Sequence, residues 1–375
     1  MTEMGISRRA VLKIGLSSTV ALAAPAIISS RALSSSGTVK LQSYANYNQQ
    51  PVLDKFEKET GIKVTLVGNS DNDEMFAQVK LGIGGENAAD LAEPASTNLP
   101  LWYENEVLQA FDPKKLEISN ISQGMPGTVE GGTGYIDGKL LYSSTIWGGE
   151  AMGYASDIEG RGYGEASLAD VFDPEFEGQV TLRAHSSLAA MGRILDAQGK
   201  LPHPFIDSYK SEEVMRANFD VILAEAMKHK ANVAQFWNND NDAVAAFVTN
   251  GCRVGLIWES TGRSLADQGV RYIAPKEGAF GWNQGLVLLR NAPNAEAAHE
   301  FVKWLSKPEN CAQWAIANSG LPSSKGGIDY LDEKSKAFTS AAYPGDAISK
   351  MWWWPPQDSW FIKLRGEYAD KWRAA

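Results

Sequence analysis

An α/β fold is predicted by three features of this 375-residue chain. Short apolar strands alternate with amphipathic helices along most of its length. The strands end in polar and aromatic residues, where open α/β sheets place their ligands. Excluding an amino-terminal leader, about 340 residues remain, enough for two lobes of ordinary domain size.

The elements follow in order. Val39–Tyr44 reads as a strand. Pro51 then opens a helix with Val52, Leu53 and Phe56 on one face, stopped by Gly61. Ile62–Val67 is the next strand. Ser167 is a candidate N-cap for a helix burying Leu168, Val171 and Phe172, and Val180–Leu182 is a strand. A helix over 243–250, with Val244, Phe247 and Val248 inward, closes at Gly251 and feeds the strand Val254–Trp258. Leu286–Leu289 is a buried strand. A helix from Ala295 buries Ala298, Phe301, Val302 and Leu305, and Pro308 opens another.

The first residues are of a different kind. Arg8-Arg9 precedes an uncharged, Ala-rich run from Ile14 to Ser30 and then small residues at 32–36. This is the pattern of a twin-arginine export signal, too short and too weakly apolar for a membrane span. Residues 1–36 are therefore expected to be removed, with the mature start between Ala32 and Val39 and the protein delivered folded to the periplasm. Removal shifts the formal charge from −10 to −13. So acidic a surface disfavours nucleic acid and anionic membranes as partners. Cys252 and Cys311 form either one disulfide or two buried thiols. No metal-ligand spacing is present among the four histidines, and no metal or cofactor is expected.

Twelve tryptophans are many for this length, and several stand where elements end: Trp147, Trp237, Trp258, Trp282 and Trp352-Trp353-Trp354. A single tryptophan is ordinarily core, but a set at loop mouths points to a ligand box whose ring faces bind cations. Tyr44-Ala45-Asn46-Tyr47, Ser96, Arg183, His185 and Glu259 lie at further strand ends.

Several segments, in order along nearly the whole mature chain, resemble the periplasmic spermidine/putrescine-binding proteins of ABC importers. They include Tyr44-Ala45-Asn46-Tyr47, Phe56 to Val64, Asp90-Leu91-Ala92-Glu93-Pro94, Trp147 to Gly153 and Asp173 to Val180. Gly255-Leu256-Ile257-Trp258, Pro275 to Gly278 with Trp282, Trp304-Leu305 and Lys307-Pro308-Glu309 continue the match. The resemblance implies a bilobal periplasmic-binding-protein fold, two α/β lobes joined by crossover hinge strands. It places one lobe at 37–151 plus 284–325 and the other at 152–283 plus 326–375. Crossovers are expected near Gly148–Gly153, Trp282–Gly285 and Leu321–Gly326. It also implies a monomeric, non-enzymatic receptor that closes on a small organic solute and delivers it to an inner-membrane ABC permease.

The chain departs from the family where polyamines are held. Asn46 and Gln284 stand at positions that carry carboxylates in the relatives, and the stretch Arg183 to Leu188 replaces others. An amide keeps an acceptor but loses the charge that compensates a desolvated ammonium. Glu150 and Glu259 are gained, with Arg183 and His185 nearby. Carboxylate at one end and cation at the other suit a zwitterion: an amino acid, a betaine or an amino-sulfonate. The candidate ligand set is Tyr44, Asn46, Tyr47, Ser96, Trp147, Glu150, Arg183, His185, Trp237, Trp258, Glu259, Trp282, Gln284 and Trp354, with Gln357 a weaker carry-over. Arg183 and Glu259 pairing with each other is the competing account. Asn238, Asn239 and Asp240 either present backbone N–H groups to an anion or form an ordinary capping loop.

Polyamine binding, with Glu150 and Glu259 as relocated carboxylates, is the main alternative. A secreted hydrolase is remote, since no nucleophile elbow or His-Glu-x-x-His motif is present. A ferric-ion receptor would ordinarily need adjacent tyrosines, which are missing.

Overall fold

Alternating strands and helices assemble, in the computed structural model, into a bilobal α/β molecule built on one twelve-stranded mixed sheet. The structure describes residues 37–375 apart from 46, 129 and 131; the export signal and Asn46 lie outside the described residues. One lobe is built around the strands Thr38–Tyr44, Lys63–Asn69 and Leu91–Ala92, which pair in parallel. The other is built around Val254–Trp258, Val180–Leu182 and Val233–Phe236, also parallel.

Two long strands join the lobes. Ser143–Ala155 and Phe280–Leu289 run antiparallel to each other through the middle of the sheet. Phe280–Leu289 pairs with Leu91–Ala92 at its far end, whereas Ser143–Ala155 pairs with Val254–Trp258. The register between the two long strands slips at Gln284/Gly285. Such a bulge bends a strand locally. Gly285 is required there, because a Cβ would stand 2.4 Å from the Ser143 carbonyl oxygen. A third crossing segment, Leu321–Pro322, lies against Trp147 and Ile146. The three segments expected to cross between the lobes lie side by side.

Local signals explain most of the helices. Pro51 sits in the first turn of Gln50–Thr60, which buries Val52, Leu53 and Phe56 and ends on Gly61 at φ 75°. Ala295–Leu305 buries Phe301, Val302 and Leu305, and Pro308–Ala317 follows. Two expectations are corrected. After Ser167 the chain makes a short 3-10 turn, Leu168–Phe172, because Asp173 and Pro174 begin another turn immediately. The helix before Gly251 starts earlier, at Asp240 with Asn239 as cap, and ends at Val248. Ala243 and Ala246 are buried, Val244 and Phe247 pack partly buried against the core as expected, and Val248 is exposed. Among the described residues, no helix is long and apolar enough to cross a membrane.

Of the two alternatives for the cysteines, the second holds: both are buried free thiols. Cys311 lies on the helix Pro308–Ala317 with its thiol 3.1 Å from the Thr145 carbonyl, while Cys252 sits in the turn before Val254–Trp258. They belong to different elements, and burial pushes both thiols up, Cys252 to about 11.

Candidate functional site

The crossing strand Ser143–Ala155 carries Glu150 to a point opposite Trp258 on one neighbouring strand and Phe280 on the other. Glu150 is 1% exposed. Ser186, in the first turn of the helix Ala184–Ala197, donates to Glu150 Oε2 at 2.9 Å. Glu150 Oε1 has no hydrogen-bond partner among the described residues. Burial pushes this carboxyl up to about 7, against the opposing pull of Arg183 and Ser186.

Arg183 is the residue at the cap of that helix, held in extended backbone as the chain leaves Val180–Leu182. Its guanidinium lies 4.8 Å from the Trp258 ring centre and 5.6 Å from that of Trp237. Among the described residues it makes no hydrogen bond or ion pair, so its planar fork of donors is free. Two of the indoles expected to face a ligand ammonium therefore already face a cation of the protein. His185 packs edge-on against Trp354 at 5.9 Å. Burial, then Arg183 and Arg365, lower its pKa far enough that the ring is neutral near pH 7.

The other lobe contributes a mostly neutral wall. Tyr44, the last residue of the strand Thr38–Tyr44, and Tyr47 in the loop after it stand with ring centres 5.2 Å apart. Tyr47 donates to Gln284 Oε1 at 2.9 Å. The Tyr44 hydroxyl lies beside Gln284 and Asn72 without a well-formed hydrogen bond. Burial raises both phenols. Trp282 lies across Gly148, where a Cβ would come within 2.3 Å of the indole, and its Nε1 is buried without a partner. Beneath this wall Glu93, fully buried, accepts from Ser43, Gln49, Thr145 and Trp314 at 2.7–3.0 Å. Because Ser43 and Gln49 bracket the loop with Tyr44 and Tyr47, Glu93 fixes both ends of that loop.

Other candidates are committed elsewhere. The Trp147 indole donates to Pro322 O at 3.1 Å, tying two crossing segments together. Trp237 is fully buried and donates to Leu256 O. Glu259, 2% exposed, accepts from Arg263 at 2.5 Å and from Tyr343 at 3.0 Å, one bond on each oxygen. Burial raises its pKa, with Arg263 the main opposing influence. Arg183 and Glu259 make no ion pair with each other. Ser96 is buried at the start of the turn Ser96–Asn98. Trp354 stacks on Phe280 at 4.8 Å. Asn239 caps its own helix through Asp242, so the loop 238–240 is a capping loop.

The two walls face each other. The Gln357 backbone N–H donates to Thr97 O at 2.9 Å, Asp240 adds to the raising of the Tyr47 phenol, and Asp73 acts on Arg365. Arg365, which the sequence reading passed over, donates to Gln357 Oε1 at 2.6 Å. A signal for it existed: it falls on the apolar stripe Phe361, Leu364, Tyr368, Trp372 of the helix Ser359–Ala374, where a charge is out of place. Ser186 and Glu93 carried no comparable signal. Among the described residues, no group of three or more His, Cys, Asp or Glu could hold a metal ion. Chemically the arrangement offers a half-satisfied carboxylate, a free guanidinium, an amide and aromatic faces.

Comparison with known proteins gives a consistent picture. A family model described as bacterial extracellular solute-binding protein matches residues 52–342. A spermidine/putrescine-binding periplasmic protein of Escherichia coli is 27% identical over 285 residues, covering 74% of this chain and 75% of the relative. Spermidine/putrescine-binding periplasmic protein 1 of Haemophilus influenzae is 25% identical over 346 residues, covering 90% and 89%. The crystal structure of a spermidine/putrescine ABC transporter substrate-binding protein from Streptococcus pneumoniae superposes with a TM-score of 0.71 at 19% identity, covering 90% of this chain and 98% of that one.

Proposed function

The chain belongs to the bacterial extracellular solute-binding proteins, non-enzymatic components of transport, and from that premise we propose that it is the periplasmic receptor of an ABC importer for a small amine-containing zwitterion. Its lobes are taken as 37–151 plus 284–325 and 152–283 plus 326–375, closing about the three crossing segments. The solute is an amino acid, betaine or amino-sulfonate held between Tyr44, Tyr47, Trp282 and Gln284 on one wall and Glu150, Arg183 and His185 on the other. Export through the twin-arginine route and action as a monomer complete the proposal.

One observation carries it: Glu150 Oε1 is buried without a partner while an unpaired guanidinium, Arg183, stands nearby. Buried charges are normally paired and hydrogen-bonded, so a carboxylate with one oxygen unpartnered and a guanidinium without a hydrogen bond are complementary to the two ends of a zwitterion. The experiment is calorimetry on protein unfolded, dialysed and refolded to remove bound solute. Polyamines, 4-aminobutanoate-like amino acids, betaines and taurine are titrated in turn. A zwitterion binding more tightly than every diamine supports the reading; tight binding of a diamine alone refutes the ligand class but leaves the receptor role.

The polyamine reading draws on the names of the relatives. A diamine needs a carboxylate at each end, and it would have to recruit Glu259 away from Arg263 and Tyr343. Glu150→Gln and Glu259→Gln, made separately, discriminate the two: a diamine site needs both residues, a zwitterion site only Glu150.

A further inference from the structure

The helix Ser359–Ala374 is tied to the first turn of Ala184–Ala197 by the Trp372 indole, which donates to Ser187 Oγ at 3.0 Å. It brings Arg365 near Arg183 and His185: both arginines, with Arg373, lower His185, and Arg183 lowers Arg365. Among the described residues Arg365 has no carboxylate within ion-pair distance; its one hydrogen-bond partner is the neutral Gln357 amide. Burial and Arg183 hold its guanidinium down to about 10. Two guanidiniums therefore converge on the first turn of the 14-residue helix Ala184–Ala197, whose positive dipole end adds to them. Two carboxylates act on them: Asp73 on Arg365 without an ion pair, and Glu150 on Arg183, engaged with Ser186 from that same turn and with its second oxygen unpartnered. Desolvated cations that make no ion pair are costly, and an anionic ligand group is what would neutralise them.

We infer that Arg365 is a specificity-determining residue which, with Arg183 and His185, forms a subsite for a carboxylate or sulfonate, and that its bond to Gln357 couples filling of this subsite to lobe closure. The coupling follows the covalent path. Gln357 gives its side-chain oxygen to Arg365 and its backbone N–H to Thr97 O on the facing lobe. Both contacts are made by one residue, and Pro355 and Pro356 stiffen the segment leading into it, so the two contacts move together. An anion that draws Arg365 into a fixed pose thereby fixes the segment that reaches Thr97. A diammonium solute would add charge of the wrong sign at the same place. This inference rests on the proposed binding of solute between the lobes.

The test uses the refolded, solute-free mature chain and two probes, sodium acetate and sodium methanesulfonate, against sodium chloride at matched ionic strength. Thermal unfolding follows binding, and a spin-label pair on exposed residues of the two lobes follows closure. Saturable stabilisation by the organic anions in the millimolar range, with shortening of the interlobe distance, is expected. In Arg365→Gln the apparent affinity falls about tenfold or more, the loss typical of one charge-assisted hydrogen bond. Arg365→Lys, which keeps the charge and loses the planar fork, recovers part of it. In Gln357→Ala the anion still binds but the distance change is lost. A wild-type chain indifferent to both anions, or an Arg365→Gln chain that responds like wild type, overturns the inference. The receptor role is judged separately, by native mass spectrometry of what copurifies, so either failure is recognisable. The wild-type titration is decisive even if Arg365→Gln does not fold.

Discussion

Two buried carboxylates, Glu150 within the crossing strand Ser143–Ala155 and Glu259 just after the neighbouring strand Val254–Trp258, differ in what surrounds them. Glu259 has Arg263 on one oxygen and Tyr343 on the other, and it lies in the first turn of its own helix, where negative charge is favoured. Glu150 has Ser186 on one oxygen and nothing on the other, with its nearest cation, Arg183, beyond ion-pair distance and resting on Trp258. Both burials raise the carboxyl pKa. Completeness of the partner set, rather than burial or charge, separates a carboxylate that holds the fold from one that is prepared for a solute.

The comparison predicts opposite phenotypes. Glu259→Ala leaves Arg263 and Tyr343 without their acceptor. The expected cost is about 3 kcal/mol of stability, the lower end for a broken buried pair because Arg263 is partly solvated. Denaturant unfolding of the solute-free protein measures it; a loss below about 1 kcal/mol would erase the distinction. Glu150→Gln should leave solute-free stability within about 1 kcal/mol of wild type, since it removes a half-satisfied buried charge. Its effect is on binding, about 100-fold weaker for an amine-bearing zwitterion, as expected for losing a charge-assisted contact. Calorimetry reads that loss directly.

A pH dependence follows, and it belongs to Glu150. Its carboxyl is raised to about 7 in the folded, empty protein, whereas an unfolded glutamate titrates near 4.3. Between these values the folded state holds the extra proton, so solute-free stability falls as pH rises through that window. A solute ammonium favours the ionised form. Affinity should therefore rise toward pH 8 and fall below pH 7, approaching about tenfold per pH unit, with proton release on binding. The groups around Glu150 do not mimic this: His185 is held neutral and Arg183 stays charged. Titrations in buffers of different ionisation enthalpy detect the proton. A flat profile from pH 5 to 8 would mean that the solute never touches this carboxylate.

The α/β class and most of the elements were legible because their signals are local: Pro51 and Gly61 bound one helix, and Pro308 opens another. Glu150 was legible as a carboxylate gained within the family-like motif Trp147 to Gly153. What stayed hidden depends on distant partners. That Trp147 and Trp237 donate their indole N–H groups to backbone carbonyls far along the chain, and that Arg183 occupies the faces of Trp237 and Trp258, cannot be read from residue type. The free thiols are of the same kind, since pairing depends on where two remote segments meet. Arg365 was missed for a different reason: a lone arginine on a helix is usually solvated, and only its place on the buried stripe distinguishes it.

Adjacent glycines on the crossing strand sharpen the contrast at the smallest scale. Gly149 lies under the complete corner, where a Cβ would stand 2.1 Å from the Tyr343 hydroxyl that Glu259 accepts. Gly148 lies under the open one, where a Cβ would meet the Trp282 indole at 2.3 Å. Side chains alternate along a strand, so the two added methyls point to opposite faces. Gly149→Ala must therefore break a satisfied cluster, and the expected result is about 1–3 kcal/mol of destabilisation, the usual range for overpacking. Gly148→Ala displaces a ring whose Nε1 has no partner to lose, so its stability cost should be about 1 kcal/mol or less while solute affinity changes. Parallel unfolding and binding measurements on the pair decide it: equal stability losses with unaltered binding would place Trp282 in the framework of the fold and not in the solute's path.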